Sequence, residues 1–318
     1  MIVLVGANGF LGRHMCKLLE QKGAPAVAVS RNPDRTFFEN FAPSLRVMDA
    51  SDFASSAGRD VLAEARAVVY FAWQSVPATF AQAPWREVPE NVQPAFEIFL
   101  RIAKVSREAK IVFLSSGGTI YGSEGTAPKS ETAATHPISA YGLGKLMAEE
   151  ALHFVGRTKG AAYAILRPSN PIGRWQLNKT HGIVGAALRA VRDRAPVPLF
   201  GGTQVRDFVD ADDVSEAIYA ASCDRVHRAA TWNVGSGIGI TITEMLDRIS
   251  KTIGQKIPVE YAAARPIDVA HIVLDCRKIA KDLGWKPKRP IEQSIASIWN
   301  AIQDSSRSYA AALDKHGT

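Results

Sequence analysis

The chain has 318 residues, of which 47 % are hydrophobic and 22 % are charged, and this length suits two domains or one large domain with a satellite. Its net charge of +7 favours anionic partners such as phosphates, with a solvated basic surface as the alternative, and the lack of long Lys/Arg runs argues against nucleic acid. The three cysteines are far apart and no apolar run approaches ~18 residues, so we expect a cytoplasmic protein without a disulfide framework, metal site, signal peptide or membrane span.

The N-terminal part of the chain predicts a strand, a helix and a second strand. Residues 2–5 are apolar, a helical period runs from about residue 10 to residue 22, and residues 25–30 form the next strand. The first turn carries glycines at intervals of three residues: Gly6, Gly9 and Gly12. Glycines let a phosphate approach the free N–H groups at a helix N-terminus. The pattern therefore predicts a dinucleotide site, with an ordinary tight turn as the alternative.

The end of the second strand selects the form of the dinucleotide. An acidic side chain there would bind the ribose 2′-hydroxyl of NAD and repel a 2′-phosphate. The chain has Ser30 and Arg31 instead, with Arg35 close by, and a hydroxyl with a guanidinium suits a 2′-phosphate. We therefore expect NAD(P) as the cofactor and favour NADP over NAD. The alternative is that Arg31 is an ordinary surface arginine.

Strands and helices continue to alternate as far as residue 170. We expect strands at 47–49, 67–72, 111–114 and 162–166, and helices at about 58–66, 90–104 and 140–155. Residues 73–86 are rich in proline and aromatic side chains, and we expect a loop over the cofactor. Asp49 ends the third strand, where its carboxylate could bind the adenine amino group. This alternation predicts an α/β fold with a doubly wound parallel Rossmann sheet, whose ligands bind at the carboxyl ends of the strands.

The pattern is less regular after residue 170. It predicts helices at 182–194, 211–221 and 243–253, and extended segments at 198–200, 206–210 and 231–234. The glycines of residues 235–239 resemble a phosphate loop, but no long buried strand precedes them, so we interpret the segment as a turn. Short strands and two helices are expected within 256–303, followed by a tail at 304–318 that we expect to fray.

Tyr141 and Lys145 are four residues apart on a predicted helix, so their side chains share one face. A lysine ammonium and an oxidised nicotinamide would both lower the pKa of the phenol, which is ordinarily ~10. The phenol could then take a proton from a sugar hydroxyl as hydride leaves the carbon, or return one to a ketone. Alone, this spacing is typical of an ordinary helix pair. After a dinucleotide fold, it predicts a proton-transfer site.

Together these stretches resemble the extended short-chain dehydrogenase/reductase superfamily, and within it the NAD-dependent epimerase/dehydratase family, which includes UDP-glucose 4-epimerase. The resemblance covers nearly the whole chain. The cofactor-side motifs are Gly6-Ala-Asn-Gly9-Phe-Leu-Gly12, Phe71-Ala72, Asn91, Ser115-Ser-Gly-Gly-Thr-Ile-Tyr-Gly122 and Tyr141-Gly-Leu-Gly-Lys145. The substrate-side motifs are Leu166-Arg-Pro-Ser-Asn170-Pro-Ile-Gly173, Arg206-Asp-Phe-Val-Asp-Ala-Asp-Asp213, Arg265-Pro-Ile-Asp268 and Leu283-Gly-Trp285.

The resemblance implies a bound NAD(P), a nucleotide-sugar substrate and hydride chemistry at the sugar ring. By motif position, the catalytic residues would be Tyr141, Lys145, Ser116 and Thr119. The cofactor would contact Gly6, Asn8, Gly9, Phe10, Leu11, Gly12, Ser30, Arg31, Asp49, Ala50, Phe71, Ala72, Trp73, Asn91, Ser115, Tyr141, Lys145 and Pro168. The diphosphate of the substrate would lie against Asn170, Arg206 and Arg265, its base against Leu199 and Phe200, and its ribose against Asp268.

The resemblance also implies how the chain is divided. A dinucleotide-binding Rossmann domain would comprise residues 1–169 together with about 205–237. A smaller C-terminal α/β domain of residues 170–204 and 238–318 would bind the nucleotide sugar. The family further implies a homodimer and a role in polysaccharide biosynthesis.

Three positions depart from what the family pattern leads us to expect. The family places Ser or Thr four residues before the Tyr of its Tyr-Gly pair, and this chain has Gly117, so Ser116 or Thr119 must supply the hydroxyl. Epimerases hold NAD through an acidic residue where this chain has Ser30-Arg31. Trp73 is bulky where a small residue is expected near the sugar.

Several activities remain open from the sequence. We expect a UDP-hexose type nucleotide-sugar 4-epimerase. The first alternative is an NADPH-dependent reductase of nucleotide 4-keto-6-deoxy sugars, which Arg31 favours because a reductase must exchange its cofactor. A dehydratase is disfavoured because Gly117-Gly118 replace the acidic pair typical of that subclass. A non-catalytic dinucleotide-binding regulator is the alternative from another class.

Overall fold

The structure of the protein, a computed structural model, describes residues 1–176, 182–265 and 268–314. The strands are β1 (Ile2–Val5), β2 (Ala26–Ser30), β3 (Arg46–Asp49), β4 (Ala67–Tyr70), β5 (Lys110–Leu114), β6 (Tyr163–Pro168), β7 (Asn170–Ile172), β8 (Val197–Phe200), β9 (Val205–Asp210), β10 (Ala229–Val234), β11 (Gly239–Thr241) and β12 (Val259–Ala262). The α-helices are α1 (Phe10–Gln21), α2 (Arg35–Phe41), α3 (Ala50–Ala54), α4 (Ser56–Ala63), α5 (Gln93–Val105), α6 (Ala140–Lys159), α7 (Ile183–Asp193), α8 (Ala211–Cys223), α9 (Ile242–Ile253), α10 (Arg277–Leu283) and α11 (Ile291–Asp314).

A seven-stranded parallel sheet forms the centre of the described chain, in the order β10-β6-β5-β4-β1-β2-β3. The strand order reverses between β1 and β4, and ligands of such sheets bind in the crevice at the carboxyl ends beside this point. The predicted doubly wound Rossmann sheet is confirmed. The loop after β4 is followed by a 3-10 turn, Pro84–Arg86, and a π-helical turn, Val88–Val92, that lead into α5.

The central sheet is buried on both faces, and the two faces of β1 show how. Successive side chains of a strand point to opposite sides. Ile2 and Leu4 pack in a core with residues of α1 and α8, whereas Val3 and Val5 pack in a second core with residues of α5 and α6. Burial of one such side chain contributes about 1.5–3 kcal/mol. The two cores thus hold the carboxyl ends of the strands in a fixed arrangement.

A smaller region packs against the carboxyl ends of the central strands. It contains a three-stranded sheet, β11-β9-β7, a two-stranded sheet, β12-β8, and a core shared by α7, α9 and α11. The sequence predicted no strand at 170–172. β7 forms there because it pairs in parallel with β9, Asn170 lying opposite Phe208.

The glycine-rich segment after β10 is a turn, as interpreted from the sequence. The buried Asp207 carboxylate accepts hydrogen bonds from the N–H groups of Ser236 at 2.7 Å, Gly237 at 3.1 Å and Leu274 at 3.2 Å. These donors are therefore occupied by the protein's own carboxylate.

The last helix, α11, extends from Ile291 to Asp314. The fraying expected for residues 304–318 stays a prediction. Residues 315–318, like Pro266 and Ile267, lie outside the described part. Within the described part, no helix is long and apolar enough to cross a membrane, and no three His, Cys, Asp or Glu side chains are grouped as metal ligands.

Candidate active site

A cleft of about 680 Å³ lies at the carboxyl ends of the central strands, bounded on its other side by the smaller region. Most residues predicted for cofactor, catalysis and substrate line it. They are Asn8, Gly9, Phe10, Leu11, Gly12, Phe71, Trp73, Ser115, Ser116, Thr119, Tyr141, Lys145, Pro168, Asn170, Leu199, Phe200, Arg206, Arg265 and Asp268.

The β1–α1 turn has the shape that a phosphate cradle needs. Gly6 has φ +93°, and a Cβ on it would lie 2.6 Å from the Ala72 nitrogen, so a side chain is excluded. A Cβ on Gly12 would lie 2.6 Å from the Gly6 carbonyl oxygen. Gly9 precedes the first residue of α1 and provides no side-chain cap, which leaves the N–H groups of the helix N-terminus for a ligand. The turn therefore fits the pyrophosphate of a dinucleotide.

The end of β2 is organised by Asn8. Its N–H donates to the Ser30 hydroxyl at 2.9 Å, and its amide group donates to the Asn32 carbonyl oxygen at 2.9 Å. Arg31 is exposed beside these residues. The two nearby carboxylates already have partners: Asp34 binds Arg13 at 2.7 Å, and Asp49 accepts from the Ser51 N–H at 2.9 Å. The pKa of Asp34 is lowered chiefly by its hydrogen bond from Arg13.

Tyr141 lies in the first turn of α6, which the Ser139 hydroxyl caps by accepting from the Gly142 N–H at 3.1 Å. Burial raises the pKa of Tyr141 to about 12, and a hydrogen bond with the Ser116 hydroxyl opposes this effect. Without a dinucleotide, desolvation outweighs the stabilisation of the phenolate, and the lowering of the phenol pKa by an oxidised nicotinamide stays a prediction.

Lys145 lies one turn further along α6 and is 4 % exposed. Its Nζ donates to the Leu114 carbonyl oxygen at 2.7 Å and lies 5.6 Å from the centroid of the Tyr141 ring. The same Nζ lies 3.9 Å from the centroid of Trp73. Burial lowers the pKa of Lys145 to about 7, while the carboxylates of Glu87 and Glu149 act in the opposite direction.

Gly117 is glycine for a steric reason. A Cβ there would lie 2.6 Å from Cδ1 of Leu274 and 2.8 Å from the Arg167 carbonyl oxygen. The space for the hydroxyl expected at this position is thus filled by a residue far along the chain. Of the two candidate replacements, Ser116 bonds Tyr141, whereas Thr119 Oγ1 is buried and has no hydrogen-bond partner within the described residues.

Polar atoms without partners are concentrated along this cleft. Buried polar groups in folded proteins almost always have hydrogen-bond partners. In the described part of the chain, the side chains of Ser115, Thr119, Ser169 and Gln176 each have a buried oxygen without one, and all four residues line the cleft. This concentration indicates that a polar ligand completes the site.

The substrate side of the cleft carries two arginines. Arg206 donates to the Val205 carbonyl oxygen at 3.0 Å, and burial lowers its pKa. Arg265 lies 4.2 Å above the centroid of Phe200 and forms two 2.9 Å hydrogen bonds with Asp268. Asn170 donates to the Asp207 carbonyl oxygen at 3.1 Å. The cleft therefore offers positive charge beside an aromatic surface.

The remaining predicted residues lie outside the lining of the cleft. Gly6 and Ala72 touch each other beneath the turn, and Ser30, Arg31, Asp49 and Ala50 lie at the ends of β2 and β3. Asn91 is 1 % exposed; its amide oxygen accepts from the Gln74 N–H at 2.7 Å, and its amide nitrogen donates to Ser75 and Glu87. Asn91 thus holds the loop that follows β4.

Sequence reasoning missed several residues that line or support the cleft. Trp175, Gln176 and Gln204 line it, and Glu87 lies buried behind Trp73. Gln74 to Ala78 also line it; they belong to the loop that was expected over the cofactor, but none of them was named as a site residue. The first group belongs to irregular segments without periodicity. The signal for Glu87 is the glycine at position 144, whose missing side chain makes room for it.

Comparison with known proteins agrees with this arrangement. A UDP-glucose 4-epimerase of Streptococcus mutans is 29 % identical, covering 94 % of this chain and 95 % of that protein. A dTDP-4-dehydro-6-deoxyglucose reductase of Escherichia coli is 25 % identical, covering 95 % and 97 %. The solved structure of a Thermus thermophilus UDP-glucose 4-epimerase in complex with NAD has a TM-score of 0.83 and 26 % identity, covering 95 % of this chain and 99 % of that one. The model of the NAD-dependent epimerase/dehydratase family matches residues 2–235, and the chain therefore belongs to that family.

Proposed function

We propose that the protein is an NAD(P)-dependent nucleotide-sugar 4-epimerase of the UDP-hexose type. The observation that carries the proposal is the convergence of Tyr141, the glycine turn and the two arginines on one cleft whose buried hydroxyls lack partners. The similarity to UDP-glucose 4-epimerases over nearly the full length supports this choice.

The chemistry divides between the cofactor and the side chains. NAD(P), held at the β1–α1 turn, supplies hydride acceptance and return at the sugar carbon. Tyr141 takes the proton of the 4-hydroxyl and gives it back after the keto sugar has rotated to present its other face. The Ser116 hydroxyl hydrogen-bonds Tyr141, and the Thr119 hydroxyl orients the sugar oxygen in place of the one absent at Gly117.

The substrate is held on the opposite side of the cleft. Arg206 and Asn170 bind the diphosphate, and Arg265 joins them by exchanging its Asp268 partner for a phosphate, which a guanidinium can bind through two parallel hydrogen bonds. Phe200 and Leu199 pack against the base, and Asp268 binds the ribose. A half-buried arginine whose pKa is lowered by desolvation, such as Arg206, gains most from an anionic ligand.

The direct test is to incubate the purified protein with UDP-glucose, UDP-galactose and their N-acetyl and uronic-acid counterparts without added cofactor. We expect interconversion of one C4 pair, detected by anion-exchange chromatography. Mass spectrometry of released small molecules would identify the bound dinucleotide. Failure to interconvert any pair, with NAD(P) bound, would refute the epimerase proposal.

We further propose that the dinucleotide is NADP. Ser30 and Arg31 stand where a ribose-binding carboxylate is expected, Arg31 is exposed, and the carboxylates of Asp34 and Asp49 are engaged with protein donors. An exposed guanidinium at this place favours a 2′-phosphate.

This same observation favours a second candidate function, an NADPH-dependent reductase of nucleotide 4-keto-6-deoxy sugars, and the Escherichia coli reductase is a relative. Consumption of one NADPH for each keto sugar would establish this alternative. Strict preference for NAD would exclude it.

We also propose that the protein forms a homodimer through α5 and α6. Three large apolar side chains are exposed on one face of α6: Leu143 at 49 %, Met147 at 38 % and Phe154 at 44 %. Phe154 contacts Phe96 of α5 in a T-shaped pair with 5.9 Å between centroids, so the two helices share the apolar surface. Such a patch is typical of a protein interface. Light scattering coupled to gel filtration measures the mass directly.

A further inference from the structure

Glu87 is a buried acidic residue that the proposed chemistry does not use. It is 2 % exposed and lies between the 3-10 turn and the π-helical turn that follow the β4 loop. Its Oε1 accepts three hydrogen bonds: from Ser75 Oγ at 2.7 Å, Trp73 Nε1 at 2.8 Å and Asn91 Nδ2 at 3.1 Å. An ionised carboxylate is a pure acceptor, so three converging donors suit the charged form. Its Oε2 is buried without a partner in the described residues.

Trp73 connects this carboxylate to Lys145. The indole N–H donates to Glu87, while the face of the same indole lies 3.9 Å from Lys145 Nζ. An ammonium over an indole face is attracted by the ring's quadrupole, and more strongly where water is excluded. The bulk of Trp73, unexpected from the sequence, thus serves to cover the lysine.

Gly144 makes the arrangement possible. A Cβ on Gly144 would lie 2.3 Å from Glu87 Cγ and 2.9 Å from Oε1, so any side chain there would displace the carboxylate. Glycine inside a helix is unfavourable, yet it occupies the turn of α6 between Tyr141 and Lys145. The carboxylate therefore packs directly against the turn that carries both residues.

We propose that Glu87 is a positioning residue that acts through Trp73 to hold Lys145 in place as an ammonium ion. The proposal rests on the proposed function in one respect, the use of Lys145 beside Tyr141.

The other charged groups facing Lys145 support this assignment. Glu149, on the next turn of α6, is bound by Arg167 through two hydrogen bonds of 2.6 and 3.0 Å and is thus largely neutralised. Glu87 forms no ion pair within 4 Å in the described residues. Burial lowers the pKa of Lys145 to about 7, and Glu87 is the first of the two carboxylates that oppose this. Without the Glu87 charge, Lys145 should therefore lose its proton at a lower pH.

The test is Glu87→Gln, which keeps the shape of the side chain and removes its charge. Protein labelled with ¹³C-lysine is titrated by NMR, with the Lys145 Cε signal assigned by Lys145→Arg. We expect the titration midpoint of Lys145 to fall by about one pH unit relative to wild type. Glu90→Gln is the matched control, because Glu90 lies in the same segment but pairs with exposed Arg86. Its midpoint should equal that of wild type. Equal midpoints in wild type and Glu87→Gln would overturn the proposal.

Two further measurements keep the result decisive. If Glu87→Gln does not fold, Trp73→Phe retains an aromatic ring but loses the N–H link to Glu87. Its Lys145 midpoint should also fall, and an unchanged midpoint would count against the proposal. Where the enzyme turns over, the alkaline limb of kcat/KM should shift down with the NMR midpoint. The NMR titration needs no turnover, so it can be carried out even if the protein has no epimerase activity. Failure of the proposed function and failure of this proposal are therefore distinguished by different measurements.

Discussion

Replacement of Thr119 by valine should have opposite effects on the stability of the protein and on its catalytic rate. Valine keeps the shape of the side chain and removes a hydroxyl that is buried without a protein partner. A buried hydroxyl left without a hydrogen bond costs about 1–3 kcal/mol. We therefore expect Thr119→Val to raise the free energy of unfolding of the ligand-free protein by about 1 kcal/mol. This corresponds to a rise in Tm of roughly 2 °C for a chain of this size.

Turnover should change in the opposite direction. If the Thr119 hydroxyl orients the reacting sugar oxygen, its loss should lower kcat by about 10²-fold, as for other hydrogen-bond donors that act in a transition state. Ser116→Ala should behave differently because Ser116 bonds Tyr141. Its removal leaves the phenol without that bond, which should lower stability by about 1 kcal/mol and raise the pKa of Tyr141 further.

The assay compares C4 epimerisation and thermal unfolding across a small set of variants. Thr119→Ser keeps the hydroxyl and should retain most of the activity. Thr158→Val, on the exposed side of α6, removes a hydroxyl that donates to the Phe154 carbonyl oxygen and should leave kcat unchanged. Full activity in Thr119→Val combined with a severe loss in Ser116→Ala would refute this reasoning and assign the missing hydroxyl to Ser116.

Four other predictions concern the same molecule. Tyr141→Phe should lower kcat by about 10²–10⁴-fold and leave the Kd for NAD(P) unchanged in calorimetry; unchanged kcat would contradict the proton-transfer role. Folded Lys145 titrates near 7 and an unfolded lysine near 10, so the unfolded state binds more protons between these values and stability rises with pH there. The free energy of unfolding, measured with urea, should therefore rise in wild type relative to Lys145→Met by about 1 kcal/mol per pH unit from pH 7 to 9. If the two proteins show the same dependence of this free energy on pH, Lys145 keeps its proton. Arg31→Glu should weaken NADP binding at least ~10-fold but not NAD binding, and equal losses for both would contradict a 2′-phosphate contact. Leu143→Glu with Met147→Glu should convert a dimer into a monomer in light scattering; an unchanged mass would place the interface elsewhere.

Local patterns were sufficient for a large part of the fold. The first strand-turn-helix unit was predicted from features that depend only on neighbouring positions. These are the apolar residues of β1, the three-residue spacing of the glycines and the helical period of α1. The same holds for Tyr141 and Lys145, because a separation of four residues on a helix fixes a shared face wherever the helix packs. The alternation of such units then specified a parallel sheet with its ligands at one edge.

Other features depend on residues that are distant in sequence, and no local pattern contains them. β7 exists because β9 pairs with it, and the glycines after β10 turn around the carboxylate of Asp207. The amide oxygen of Asn91 accepts from the Gln74 N–H in the loop that follows β4, and its contact with the cofactor stays a prediction.

The sequence by itself determined the elements of the central sheet, their order and the residues that face the cleft from regular structure. Only the tertiary structure decided the fine chemistry of that cleft. Leu274 fills the space beside Gly117, and Glu87 occupies the space left by Gly144. Burial then raises the pKa of Tyr141 and lowers that of Lys145, so it disfavours the charged form of both side chains. The physical reason is that periodicity and spacing are properties of a few consecutive residues, whereas desolvation and steric exclusion depend on every segment that packs around a group.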